Sequence, residues 1–205
     1  MTSARVHDVI VIGASAGGIA ALREIVAGLP GDLPATILIV LHVNPTTPSA
    51  LPAILDRATE LEVRHARKGD RIRPGSVLIA PPDLQMTIAD GFVRLERGPL
   101  EHGLRPAIDS LMRSAAAQLG PRVVGVVLSG MLSDGTAGLA AIKAAGGVTV
   151  VQDPATAAFA SMPGNAVDAV DPDHVVPLSQ LAPLLQRLVA RERGGGRVTV
   201  GVRRP

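Results

Sequence analysis

The sequence predicts an α/β fold: a doubly wound, mainly parallel sheet flanked by helices, with a small antiparallel hairpin insertion. Three observations point there. Short β-branched runs with almost no polar residues recur, as at Val9-Ile10-Val11-Ile12, Ala35 to Leu41 and Arg122 to Leu128, which is how strands buried on both faces read. Segments of helical periodicity alternate with these runs. Apolar residues make up 47% of the chain, yet only Phe92 and Phe159 are aromatic, so the core is aliphatic, as suits helices packed on a parallel sheet.

The chain opens on a strand at Val9–Ile12, a tight small-residue turn, and a helix from about Ile19 to Ala27 that ends near Gly28. The turn Gly13-Ala14-Ser15-Ala16-Gly17 reads G-x-S-x-G, the pattern that exposes a serine at the apex of a strand-to-helix bend. The helix after it directs free amides and its positive end at the same spot, which favours an oxyanion. A phosphate-binding loop built on Gly13, Gly17 and Gly18 is the alternative, although the spacing is G-x-x-x-G-G and no P-loop lysine follows.

A second strand, Ala35–Leu41, ends directly at His42. A loop at Asn44–Pro48, a helix from about Ser49 to Thr59 and a strand near Leu61–Val63 complete β-α-β-α-β. Right-handed crossovers place strands one and two side by side, with Ser15 and His42 at neighbouring carboxyl ends. Residues 64–99 read as the insertion, from three short strand signals (Gly75–Ala80, Met86–Ile88, Phe92–Leu95) and the turn Asp90-Gly91. Arg64, Arg67, Lys68, Arg71 and Arg73 form a basic stretch, either a solvated face or a docking surface for an acidic partner. Pro106 is placed as the first residue of a helix running to about Leu119. The strand Arg122–Leu128, the loop Ser129–Thr136, a helix at about Ala137–Ala145 and a strand at Val148–Val151 follow. Turns and one helix near Met162-Pro163, a strand at His174–Val176 and a helix from about Gln180 to Ala190 complete the body.

Composition narrows the function. Residues 1–190 read as one domain and 191–205 as a loose Gly/Arg-rich tail; the tail holds five arginines and one glutamate, which accounts for the net charge of +2. With almost no aromatics to stack on bases, nucleic acid is not the expected partner. There is no cysteine, hence no disulfide and no thiol nucleophile, and the residues indicate neither a metal nor a cofactor. No signal peptide precedes the first strand and the apolar runs fall far short of the ~20 residues of a membrane span, so a cytoplasmic protein is expected.

Asp134 lies in a glycine-containing loop after a central strand, on the edge where Ser15 and His42 are placed. Singly, it reads rather as the N-cap of the helix that follows, and His42 as a solvated loop histidine. Together the three supply a nucleophile, a general base and a carboxylate to orient that base. Their order, Ser…His…Asp, is not that of α/β-hydrolases.

Several motifs occur in one order: Ile12-Gly13-Ala14-Ser15-Ala16-Gly17-Gly18, Leu41-His42, Ala80-Pro81, Arg105-Pro106, Ser129-Gly130-Met131 with Asp134-Gly135, and Met162-Pro163. Over about residues 6–190 they resemble the catalytic domain of CheB, the chemotaxis protein-glutamate methylesterase. The resemblance implies hydrolysis of glutamate methyl esters on the cytoplasmic helices of chemoreceptors, with deamidation of glutamines in many members, and contact with membranes only through the receptor. It implies Ser15, His42 and Asp134 as catalytic residues. The Ala16 and Met131 amides are the expected oxyanion donors. Ala16, Val43-Asn44, Leu132 and Leu104 depart from the family's usual residues. A receiver domain of the kind typical members carry at the N-terminus is not expected in a sequence that starts so close to its first strand. The remaining alternatives are a CheB-like esterase or amidase with a substrate outside chemotaxis, and a nucleotide-binding module.

Overall fold

A computed structural model describes residues 7–46 and 48–190; the Gly/Arg-rich tail lies outside the described residues. Seven strands form one parallel sheet: β1 (Val9–Ala14), β2 (Thr36–Leu41), β3 (Glu62–His65), β4 (Ser76–Ile79), β7 (Val123–Val127), β8 (Val148–Gln152) and β9 (His174–Val176), in the order β3-β4-β2-β1-β7-β8-β9. The remaining two, β5 (Gln85–Ala89) and β6 (Phe92–Glu96), pair only with each other as an antiparallel hairpin.

The aliphatic runs are buried on both faces because side chains alternate across a strand. Ile10, Ile12, Ile37 and Ile39 point to one side, where they meet helices α1 (Gly18–Ala27), α2 (Leu51–Asp56) and α6 (Leu178–Val189). Val9, Val11, Leu38 and Val40 point to the other, against α3 (Ile108–Leu119), α4 (Thr136–Ala144), α5 (Ser161–Val170) and the hairpin. From β1 the chain first builds one side of the sheet (β2, then β3 at the edge and β4 between them) and later the other (β7, β8, β9), so the topological switch lies between β1 and β7, and the carboxyl ends of those strands flank the crevice where open α/β sheets hold their sites. No helix among the described residues is long and apolar enough to cross a membrane.

Two local readings need correction. Ser76–Ile79 belongs to the main sheet, inserted between β3 and β2 with Leu38 opposite Leu78, so the insertion is the β5–β6 hairpin alone. Pro106 does not start α3: Ala107 is still extended (φ −109°, ψ 139°) and the helix begins at Ile108, where side chains distant in sequence take up its first amides.

Candidate active site

The carboxyl edge of β1 and β2 sets the site. Ala14 and Leu41 are register partners, and the His42 amide donates to the Ala14 carbonyl at 3.1 Å, so Ser15 and His42 leave adjacent strands side by side. The Ser15 amide donates to the Ser129 carbonyl (3.0 Å), and its own carbonyl accepts from Gly18 at the start of α1 (2.9 Å), which ties the elbow to the loop after β7. Gly17, at φ 76°, takes the left-handed conformation that the entry into α1 requires. Ser129 braces the same turn: its Oγ donates to the Ala16 carbonyl (2.8 Å) and accepts from the Phe159 amide (3.0 Å).

Gly13 has a different role from the one its motif suggests. It lies inside β1, and a Cβ there would stand 2.3 Å from Cγ2 of Ile108, so its smallness lets α3 descend onto the strand. The space beside it is filled from within and is not open to a phosphate.

His42 Nε2 lies 2.8 Å from Asp134 Oδ2, with the imidazole 12% exposed and the carboxylate 2%. Asp134 is not the cap of α4, whose N-cap is Gly135 at φ 98°. It caps α3 instead: Oδ2 also accepts from the Ile108 amide (2.7 Å) and Oδ1 from the Asp109 amide (3.0 Å). Burial alone would raise the Asp134 carboxyl, but the His42 bond and those two amides outweigh it and hold the group below its ordinary value. An ionised Asp134 makes Nε2 the protonated, donating nitrogen of His42 and leaves Nδ1 as its basic one.

Asp109 was not singled out from sequence, yet it mirrors Asp134. Its Oδ1 accepts from the amides of Gly135 (3.0 Å) and Gly138 (2.6 Å) at the start of α4, so each aspartate caps the other's helix. Here burial prevails over the Gly138 bond and, with the neighbouring Asp134 charge, holds the carboxyl above its ordinary range. Glu101, His102 and Asp109 bring ligating atoms within 4.8 Å of one another, but Glu101 is paired with Arg113 and Asp109 with its amides.

Ser15 is half-buried and lines a cleft of about 620 Å³ together with His42, Ile19, Val43, Ile54 and Arg23. The structure joins His42 to Asp134 but does not bond Ser15 Oγ to the imidazole, a contact that apo sites commonly hold open. Among the described residues nothing accepts from the Ala16 or Met131 amide. Met131 follows Gly130, whose backbone abuts Ser15 so closely that a Cβ there would be 2.9 Å from the serine's. The Met131 side chain is 56% exposed on this rim, beside Leu132.

The basic stretch is largely engaged within the chain. Arg64 bonds Asp70 (2.5 Å) and Glu62 (3.2 Å), Arg73 bonds Glu62 (2.8 Å), and Arg71 lies over the Phe92 ring at 5.4 Å.

Comparison with known proteins fits this arrangement. A model of the family described as CheB methylesterase matches residues 10–185. The chain is 42% identical over 181 residues to a protein-glutamate methylesterase/protein-glutamine glutaminase of Anaeromyxobacter dehalogenans, covering 88% of this chain and 53% of that protein. It is 40% identical over 196 residues to one of Pseudomonas aeruginosa, covering 94% and 56%. The chain thus spans about half the length of the curated relatives it matches. The crystal structure of the Thermotoga maritima CheB methylesterase catalytic domain superposes with a TM-score of 0.84 at 33% identity, covering 89% of this chain and 98% of that one. With residues 10–185 matched by the family model and the fold superposing on that catalytic domain, the chain belongs to the CheB methylesterase family.

Proposed function

We propose that the protein hydrolyses methyl esters of glutamate side chains on a protein substrate, the cytoplasmic helices of chemoreceptors, with Ser15 as nucleophile, His42 as general base and Asp134 as the carboxylate that orients the base. The observation that carries this reading is the 2.8 Å bond from His42 Nε2 to an ionised Asp134, at the strand end next to Ser15. Ser15 Oγ attacks the ester carbonyl as its proton passes to His42 Nδ1. The oxyanion is received by the Ala16 and Met131 amides. Collapse breaks the bond to methoxide, which leaves as methanol with the proton from His42. Water then attacks the acyl-serine, giving up a proton to the same nitrogen, and the glutamate carboxylate departs as Ser15 regains its hydrogen.

The same steps release ammonia from a glutamine, and the relatives' names include protein-glutamine glutaminase, so deamidation is a second activity of the same site. The test is methanol release from methylated chemoreceptor membranes by wild type and Ser15→Ala. The substitution removes one hydroxyl at a turn, so melting should be nearly unchanged while turnover is lost. Full methanol release by the variant would remove Ser15 from the chemistry and the reading with it.

A further inference from the structure

The cleft that begins at Ser15 and His42 continues beyond Ile19 and Ile54 to Arg23, Arg57 and Ala58. Each wall repeats one arrangement. On α1, Ile19 and Arg23 are four residues apart and share a face; at the end of α2, Ile54 and Arg57 are three apart. The isoleucines lie nearer the serine and the arginines about one turn further on, roughly 5–6 Å at helical rise. Both arginines are exposed, and among the described residues neither enters an ion pair. No carboxylate lines this part of the cleft. The contrast with Arg64 and Arg73, each held by acidic neighbours, is direct.

The reaction proposed above says what these two cations meet. Hydrolysis of a glutamate ester or of a glutamine leaves a carboxylate, so a helix with more than one target becomes more acidic with each turnover. We propose that the cleft extension bearing Arg23 and Arg57 recognises a free carboxylate one or two helical turns from the esterified glutamate, so that the enzyme favours a target beside one already hydrolysed. The inference rests on the hydrolase reading for the identity of its partner, and on the placement of Arg23 and Arg57 for the surface itself. Ile19 and Ile54 receive the apolar side chain between the two acidic positions. Exposed ion pairs are individually weak and screened by salt, so the surface ranks substrates more than it sets affinity.

The test uses helical peptides with one γ-methyl glutamate and with Glu, Gln or Lys four and seven positions to either side. Two readouts run together: kcat/KM for methanol release by the wild-type catalytic site, and anisotropy-measured binding of the same labelled peptides to Ser15→Ala protein. The expected order is Glu over Gln over Lys, with about three- to tenfold between the extremes at low salt, shrinking as salt rises. Arg23→Gln/Arg57→Gln should flatten the order and Arg23→Glu/Arg57→Glu should invert it, in both readouts. Binding that follows this order while no peptide releases methanol would keep the surface and overturn the hydrolase reading. Methanol release that ignores flanking charge, or a charge-reversed variant that weakens all three peptides equally, would overturn the surface and keep the hydrolase.

Discussion

Asp134 and Asp109 are the same residue type in nearly the same place. Each is buried, and each carboxylate takes up two amides at the start of the other's helix. They differ in what the second oxygen does. Asp134 uses both oxygens on amides and adds the His42 ring, whereas Asp109 places both of its amides on Oδ1 and leaves Oδ2 3.9 Å from the exposed His102. Their titrations are displaced in opposite directions accordingly, Asp134 downward and Asp109 upward. Capping and burial are shared, so neither separates them; the imidazole does. Under the proposed mechanism, the carboxylate that stays charged beside the base differs from its capping neighbour in how many of its lone pairs are already claimed.

Asp134→Asn is the strongest way to break this comparison. An asparagine has one acceptor oxygen and one donor group, while Asp134 faces amides on both sides, so one helix-capping bond must become a donor facing a donor. The variant should lose about 1–3 kcal/mol of stability and, with no carboxylate to fix the His42 tautomer, turnover should fall on the order of 10²–10⁴-fold. Methanol release and urea unfolding measured on one preparation check both. Wild-type turnover in a folded Asp134→Asn variant would mean that the carboxylate is only a cap.

Gly13→Ala tests the scaffold that brings the two aspartates together. The new methyl would meet Ile108, a fully buried side chain, and the Ile108 amide also donates to Asp134. Overpacking of this kind costs about 1–3 kcal/mol, and displacement of the first turn of α3 should lower turnover more than it lowers peptide binding. A variant with wild-type melting and rate would show that α3 is free to move away from β1.

Much of this was legible in the chain itself. The aliphatic runs gave the sheet, and the placement of Ser15 and His42 follows from two consecutive strands pairing in parallel, a local rule. What the sequence hid depends on long-range partners. Asp109 reads as an ordinary first-turn acid of a helix, because the amides it holds lie 26 and 29 residues away. The start of α3 was misplaced for the same reason: its cap is Asp134, from another loop, and no local residue marks it. Ser76–Ile79 resembled the hairpin strands that follow it because its parallel partner, β2, lies some 40 residues earlier. The basic run reads from sequence as either a solvated face or a docking surface, because charge counts do not reveal that Glu62 and Asp70 pair with two of its arginines.

The smallest expected effect is the most discriminating. Asp109→Asn keeps an oxygen at the Oδ1 position for Gly135 and Gly138 and turns its NH₂ toward the space beside His102. The sign follows from linkage. The folded pKa of Asp109 is raised above the ordinary aspartate value of 3.8, so its contribution favours folding below that value and is lost as pH rises through the folded one. Asp134, lowered from the same value, does the reverse: its contribution is present above 3.8 and lost as pH falls through the folded pKa. Removing the Asp109 charge should therefore make the variant gain on wild type as pH rises from about 3.8, with the gap constant once Asp109 is fully ionised in the folded protein. At neutral pH the variant should be as stable as wild type or up to about 1 kcal/mol more so, with turnover reduced less than about tenfold, since the loop that carries Asp134 is still held. Urea midpoints across the acid-to-neutral range read the first effect and methanol release the second. A gap that closes as pH rises, or a rate loss as large as that of Asp134→Asn, would mean that the charge on Asp109 is needed and that the two aspartates act as a coupled catalytic pair.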